Sequence, residues 1–165
     1  KVKEVTKVEK TNIAGVAKDT SIARVALVGL EHNPGVAFQV FDLLSKHNIN
    51  VDVILQSIGR ENSKDISFTV SRDEADQAVK IIEDNMARVG AKSISCNKEV
   101  VKVSIVGAGM MSNPGVAAKM FEALFNENIN INMISTSEIR ITVLINEKDA
   151  ERAVNAVHDA FGLED

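Results

Sequence analysis

Two short runs in this chain aim free backbone N–H groups at one point: Asn33-Pro34-Gly35-Val36-Ala37 and Asn113-Pro114-Gly115-Val116-Ala117. In each, Asn supplies an N-cap and Pro a helix-compatible φ at the first helical position, so a helix is expected to begin there. The first N–H groups of a helix lack an intrahelical acceptor and sit at the positive end of its dipole, a setting that attracts a carboxylate. Gly35 lets such a ligand come close to the backbone. Shaping of a turn accounts for Pro and Gly equally well in a single copy. The second copy weighs toward binding, although copies also inherit structure.

The segments expected to face these loops differ between the copies: Leu55-Gln56-Ser57 in the first and Ser135-Thr136-Ser137-Glu138 in the second. An amide with small residues suits a hydroxyl group, whereas a carboxylate suits an ammonium group. A solvated hairpin explains either segment without a ligand. Val106-Gly107-Ala108-Gly109-Met110-Met111-Ser112 follows a strand and precedes a helix, as a dinucleotide-binding loop does. A Rossmann unit needs an acidic residue near the end of the next strand; Asn130 and Asn132 stand there, and the next two strands read as a hairpin. The glycines therefore read as a lengthened loop. No nucleophile elbow, phosphate-binding lysine loop or isolated carboxylate pair is present, so no catalytic residue is assigned. His32, His47 and His158 fall at unrelated places, and with the single Cys96 they make no metal site.

The elements that position these residues follow from an internal repeat. The pentapeptide recurs at an offset of 80, from 33 to 113, and at the same offset Phe41 matches Phe121, Leu44 matches Leu124 and Asn48-Ile49-Asn50 matches Asn128-Ile129-Asn130. Each copy opens with an apolar strand ending in Gly, Arg24 to Gly29 and Lys102 to Gly107. A helix with one apolar stripe follows: Val36, Ala37, Val40, Phe41 and Leu44, then Val116, Ala117, Met120, Phe121 and Leu124. Alternating segments read as paired antiparallel strands, Ile49, Val51, Val53, Leu55 with Ile66, Phe68, Val70, and Ile129, Ile131, Met133 with Ile139, Ile141, Val143, Ile145. A second helix closes each copy, capped by Ser71 with Glu74 in the first and by Asn146 in the second.

The first copy continues into a weak strand, Ala91 to Asn97, which completes a ferredoxin-like βαββαβ unit. The second stops after its helix, while Thr11 to Ala17 reads as a strand without a role in the first. The expected organisation is therefore α+β, with residues 20–98 as one domain inserted in a second made of 11–19 and 99–165. In the second domain the N-terminal strand completes the sheet.

Composition sets outer bounds. Of 165 residues, 45% are hydrophobic and 25% charged, enough to build cores. A formal charge of −4 and 4% aromatics, all Phe, argue against nucleic acid as a partner. No stretch approaches the roughly 20 apolar residues of a membrane span, and Lys1 to Lys10 lacks an apolar signal region, so a cytoplasmic location without membrane association is expected.

The tandem βαββαβ units with Pro-Gly at the first helix start resemble ACT domains, small-molecule sensors of amino-acid metabolism. The segment Ile134-Ser135-Thr136-Ser137-Glu138-Ile139-Arg140-Ile141, with Val106-Gly107-Ala108-Gly109-Met110 before it, resembles the regulatory region of aspartate kinases. That resemblance implies a kinase domain elsewhere, carrying ATP and Mg, with no cofactor in this chain, which is then either a separate regulatory subunit or an excised region. It implies allosteric feedback inhibition by lysine, threonine or both, and a homodimer in which the first unit of one chain pairs with the second unit of the other. One effector site would use Gly35, Ala37 and Gln56 with Asn130 and Ile131 of the second chain, as a threonine pocket. The other would use Gly115, Val116, Ala117, Ser137 and Glu138 with Val51 and Asp52 of the second chain, the two carboxylates facing the ammonium of lysine. Many ACT domains carry Asp two residues before the Pro, where this chain has His32 and Ser112. Two other readings remain: a dimerisation scaffold that senses nothing, and an ACT sensor of another amino-acid biosynthetic enzyme.

Overall fold

The computed structural model describes residues 12–108 and 114–163. The strands are β1 (Asn12–Asp19), β2 (Ile22–Glu31), β3 (Val51–Ile58), β4 (Ser63–Ser71), β5 (Ser93–Asn97), β6 (Val100–Ala108), β7 (Met133–Thr136) and β8 (Arg140–Asn146). The helices are α1 (Val36–Lys46), α2 (Ala75–Asp84), the short α3 (Met86–Val89), α4 (Gly115–Asn126) and α5 (Ala150–Ala160). They form two four-stranded sheets, ordered β3-β4-β2-β5 and β1-β6-β8-β7. The chain divides into two compact units, Ser21–Val100 and the segment from Val101 together with β1. Each unit is a βαββαβ ferredoxin-like fold. In the first sheet β5 lies antiparallel to β2, and in the second β1 lies antiparallel to β6, from Asn12 opposite Ala108 to Asp19 opposite Lys102.

Each sheet buries one face under its helices. In the first unit Leu27, Phe68, Leu44 and Ile82 are fully enclosed, and Phe41 meets Phe68 edge-on with ring centroids 5.7 Å apart. In the second, Val103, Ile105, Met120, Leu124, Val143 and Val157 play the same part. Of the stripes read from the sequence, Val36, Val40 and Leu44 of α1 and Val116, Met120 and Leu124 of α4 are buried, joined by Leu43 and Ala123, while Ala37, Phe41, Ala117 and Phe121 pack half-buried against the cores. The repeated Asn-Ile-Asn has a local cause. Asn48 and Asn128 adopt φ 56°, a left-handed conformation that Asn tolerates, and so end α1 and α4. The next N–H, of Ile49 or Ile129, returns to the carbonyl of Leu44 or Leu124 at 3.0 Å, and both Ile side chains are buried.

Three local expectations are corrected. Asn33 does not cap the helix directly: its Oδ1 accepts the Gly35 N–H at 3.2 Å, forming a turn, and α1 begins at Val36. Neither Ser71 nor Asn146 caps its helix, because a 3-10 turn, Arg72–Glu74 or Glu147–Asp149, intervenes and neither makes a side-chain capping bond. Asn146 Oδ1 accepts instead from the amide of Asn132 at 3.2 Å. The alternation in β3 is also out of phase with the expected one. A bulge between Val51 and Ile54 sets Ile54 opposite Phe68 and Gln56 opposite Ile66, on the helix-covered face. The Val53 N–H freed by the bulge is satisfied by Thr69 Oγ1 at 3.0 Å. In β7 Ile134 likewise lies opposite Val143 on the helix-covered face, though 41% exposed, whereas Met133, 5% exposed, pairs with Leu144 on the other face.

A second bulge, between Leu27 and Leu30, explains the glycine that ends β2. Gly29 has φ 73°, its N–H donates to Asp65 Oδ1 at 3.0 Å, and a Cβ there would meet Lys92 side-chain carbons at 2.7–2.9 Å. Near the boundary of the first unit, the Arg72 side chain donates to the carbonyls of Ile22 and Val100, each at 3.3 Å, so it clamps the two ends of that unit.

Two stability predictions follow from these pairings. Gly29→Val should destabilise the chain by about 1–3 kcal/mol, the usual cost of a strained left-handed residue; chemical denaturation showing no loss would mean that the bulge relaxes freely. Removal of residues 1–19 bares the β6 edge and should cause aggregation and a lower melting midpoint. Light scattering and thermal unfolding indistinguishable from the intact chain would show that β1 is dispensable.

Candidate functional site

Because β3 and β2 run the same way on either side of β4, they end together, and α1 starts above that end. Leu30, Lys64 and Ile58 form one row across the sheet there. The loop before α1 is tied to the β3–β4 turn by the His32 N–H, which donates to the Asn62 carbonyl at 3.2 Å. This head end gathers Gly35, Ala37 and Gln56. Gly35 and Gln56 are exposed and Ala37 is half-buried, and the β3 bulge is what brings Gln56 to the helix side. Asn33 engages two early N–H groups, Gly35 through its side chain and Val36 through its carbonyl at 3.4 Å.

Lys64 is a residue that the sequence reading passed over. It is 5% exposed, lies on the covered face two residues before Ile66, and its Nζ donates to the Asn33 carbonyl at 3.4 Å. The signal was present: in Lys64-Asp65-Ile66-Ser67-Phe68 a cation occupies an inward position of the alternation.

At the opposite, tail end of the first unit, α1 finishes and β3 starts. A cavity of about 460 Å³ opens there, lined by Phe41, Ser45, Asn48, Asn50, Val51 and Ile54 among others. Val51 is half-buried, and Asp52 beside it is exposed to solvent but has its own interactions.

The second unit repeats the plan. Its head end holds Gly115, Val116 and Ala117 at the start of α4, with Ser137 and Glu138 in the β7–β8 connection. The Gly107 N–H, donating to the Ile139 carbonyl at 2.9 Å, ties the end of β6 to that connection. Ser137 N–H donates to the Arg140 carbonyl at 2.8 Å, and Glu138 is exposed. Val116 is 3% exposed, so its side chain belongs to the core and only its backbone faces a ligand. Asn130, exposed, and Ile131, half-buried against the core, sit at the tail end. Asn113 and most of the glycine-containing loop, Gly109 to Ser112, lie outside the described residues.

Within each unit, then, the residues expected in one site gather at the head and those expected in the other at the tail. A helix length separates them, so neither set is completed inside a single unit.

Elsewhere the chemistry is less convergent. A cavity of about 700 Å³ between α2 and β5 is lined by Glu83, Glu99 and two paired sets of charges, Lys98 with Asp76 at 2.6 Å and Lys80 with Asp84 at 3.0 Å. Cys96 borders it, and partial burial pushes its thiol above the ordinary value, away from a reactive thiolate. Among the described residues no group of three His, Cys, Asp or Glu side chains is placed to hold a metal, and no helix is long and apolar enough to cross a membrane.

Comparison with known proteins agrees with this architecture. An ACT domain model matches residues 25–86 and 103–161. An aspartate kinase of Pseudomonas fluorescens is 45% identical over 94% of this chain, which spans 38% of that enzyme. The crystal structure of the regulatory subunit of aspartate kinase from Thermus thermophilus, in its ligand-free form, superposes with a TM-score of 0.85 at 41% identity, covering 91% of this chain and 99% of that subunit. E. coli aspartokinase III, crystallised with lysine and aspartate, shares the fold at a TM-score of 0.72 and 22% identity, over 92% of this chain and 33% of its own. With the family model spanning both repeats and a regulatory subunit matched almost end to end, the chain belongs to the ACT domain family, as the regulatory region of an aspartate kinase.

Proposed function

We propose that this chain is the amino-acid-sensing part of an aspartate kinase and that lysine, threonine or both are its effectors, giving feedback inhibition of aspartate-family biosynthesis. The observation that carries the reading is the doubled head end: each unit sets a helix start beside a hairpin segment of different chemistry, Gln56 in one and Ser137-Glu138 in the other. The tail ends supply the complements, Asn130 and Ile131 for the first head, Val51 and Asp52 for the second. A homodimer that apposes head and tail of different chains completes both pockets. Gln56 then reads a hydroxyl, while Glu138 and Asp52 face an ammonium group. The E. coli neighbour was crystallised with lysine, but its 22% identity carries the fold and not the choice of effector.

The remaining parts belong to the same proposal. Residues 20–98 and 11–19 with 99–165 are the two sensing domains. Phosphoryl transfer to aspartate, with ATP and Mg, takes place on a catalytic domain or subunit outside this chain. Effectors act by linkage: they bind one dimer arrangement better, and that arrangement disfavours the competent kinase. Coupling of about 1–3 kcal/mol changes affinity or activity several-fold to a hundredfold.

One feature favours a second reading, a dimerisation scaffold without effectors. The edge strand β3 exposes Ile54 and Ile58, by 49% and 68%, and Ile134 on the edge strand β7 is 41% exposed. Exposed apolar side chains on edge strands suit a second copy of the chain with or without a ligand.

Thermal unfolding with lysine, threonine, both, and ATP as control separates the two. A ligand at about 100 times its dissociation constant adds roughly 2.7 kcal/mol, which raises the midpoint of a chain this size by several degrees. A rise with either amino acid, larger with both and absent with ATP, is the expected result; no rise with any amino acid leaves the scaffold. In the intact kinase, Gln56→Trp and Ser137→Trp should each relieve inhibition by one effector at least tenfold. Unchanged inhibition in both variants would reject the assigned pockets.

A further inference from the structure

We propose that Lys64 is the carboxylate-binding residue of the first unit's head end, holding the α-carboxylate of a small amino acid over the first turn of α1. This rests on the sensing function proposed above. A buried ammonium is costly unless an anion pairs with it, yet among the described residues Lys64 joins no ion pair. Its acceptor is the neutral Asn33 carbonyl at 3.4 Å, which also accepts the Val36 N–H. That distance is long beside the roughly 2.7–2.9 Å of a charge-assisted bond. The ammonium also sits at the N-terminal end of an 11-residue helix, where the dipole disfavours a cation.

Two positive centres therefore converge, and the neighbouring carboxylate, Glu31, accepts from the Asn33 side-chain amide at 3.2 Å and makes no ion pair with Lys64 among the described residues. Asn33 occupies the N–H groups of Gly35 and Val36, which leaves those of Ala37 and Phe38 without an acceptor among the described residues. A carboxylate placed there meets the ammonium and the helix start together. Gln56 points to the same ligand. It lies opposite Ile66, one inward position from Lys64 on the adjacent strand, so amide and ammonium share one face as diagonal neighbours. One anchors the carboxylate while the other reads the side chain.

The anchor belongs to the first unit alone. Gln56 opposite Ile66 corresponds to Thr136 opposite Ile141, and two residues before Ile141 stands Ile139, 57% exposed. The two head ends therefore hold amino acids by different means, and only the first depends on a side-chain cation.

Calorimetry of the full chain with L-threonine, L-threoninol (which lacks the carboxylate) and inorganic phosphate tests the assignment. The unaltered chain should bind threonine at least tenfold more tightly than threoninol. Lys64→Met should weaken threonine at least tenfold, remove the preference over threoninol, and leave the unliganded melting midpoint unchanged or raised. Lys64→Gln, which keeps a polar end, is measured alongside, so that failure of one variant to fold leaves the other to decide. If the variants bind threonine within twofold of the original and still reject threoninol, the inference is overturned while the sensing function stands. A fall of several degrees in the unliganded midpoint with that preference retained assigns Lys64 a structural role and overturns it too. Phosphate binding as tightly as threonine and indifferent to Gln56→Ala points to a general anion site, against an amino-acid carboxylate. If the unaltered chain binds neither threonine nor lysine, the sensing function itself fails.

Discussion

The extra residue in each of two strands of the first unit governs what its head end contains. A strand presents alternate side chains to one face, so a single inserted residue exchanges the faces of everything beyond it. In β3 the bulge after Val51 brings Ile54, Gln56 and Ile58 to the helix side, and in β2 the bulge at Gly29 keeps Leu30 inward opposite Lys64. Without the first, Gln56 would face away from the helix start. Without the second, the row of Leu30, Lys64 and Ile58 would not form. Both bulges are locked by side chains reaching backbone, Thr69 to Val53 and Asp65 to Gly29.

Much of this architecture was legible in the residues. The repeat identified the two units, and the apolar positions read from spacing do line the inner sides of α1 and α4, where Leu43 and Ala123 join them. Thr11 to Ala17 stood out as a strand-like segment, and β1 runs beside β6, with Thr11 itself outside the described residues. What escaped was phase. Ile49, Val51, Val53 and Leu55 alternate without a break, and nothing in that string marks an unpaired N–H; only the Val53 bond to Thr69 does. Ser71 and Glu74 likewise have the spacing of a capping box, but a 3-10 turn occupies those residues and α2 starts at Ala75. Lys64 was hidden for a third reason. Charge in a strand reads as the solvent face unless the inward phase is already known.

Segregating head and tail has a physical use for a regulatory module. A pocket complete within one unit binds its ligand whatever the neighbours do, so binding carries no information about assembly. A pocket split between helix start and helix end of different units ties affinity to their arrangement, and linkage then runs in both directions. The two heads also differ in charge, with a buried cation at one and an exposed carboxylate, Glu138, at the other. Divergence of a duplicated unit toward two ligands needs only such changes, since both units keep the helix itself, α1 in one and α4 in the other.

The clamp made by Arg72 bears on the order in which the chain acquires its structure. Pairing β1 with β6 joins Asp19 to Lys102 across the whole of the first unit, and closing a disordered loop of that length costs roughly 4 kcal/mol in chain entropy. Once the intervening segment has folded, its guanidinium holds the carbonyls of Ile22 and Val100 on one side chain, so the two strands emerge already side by side. Folding of the first unit thus converts a remote pairing into a nearly local one.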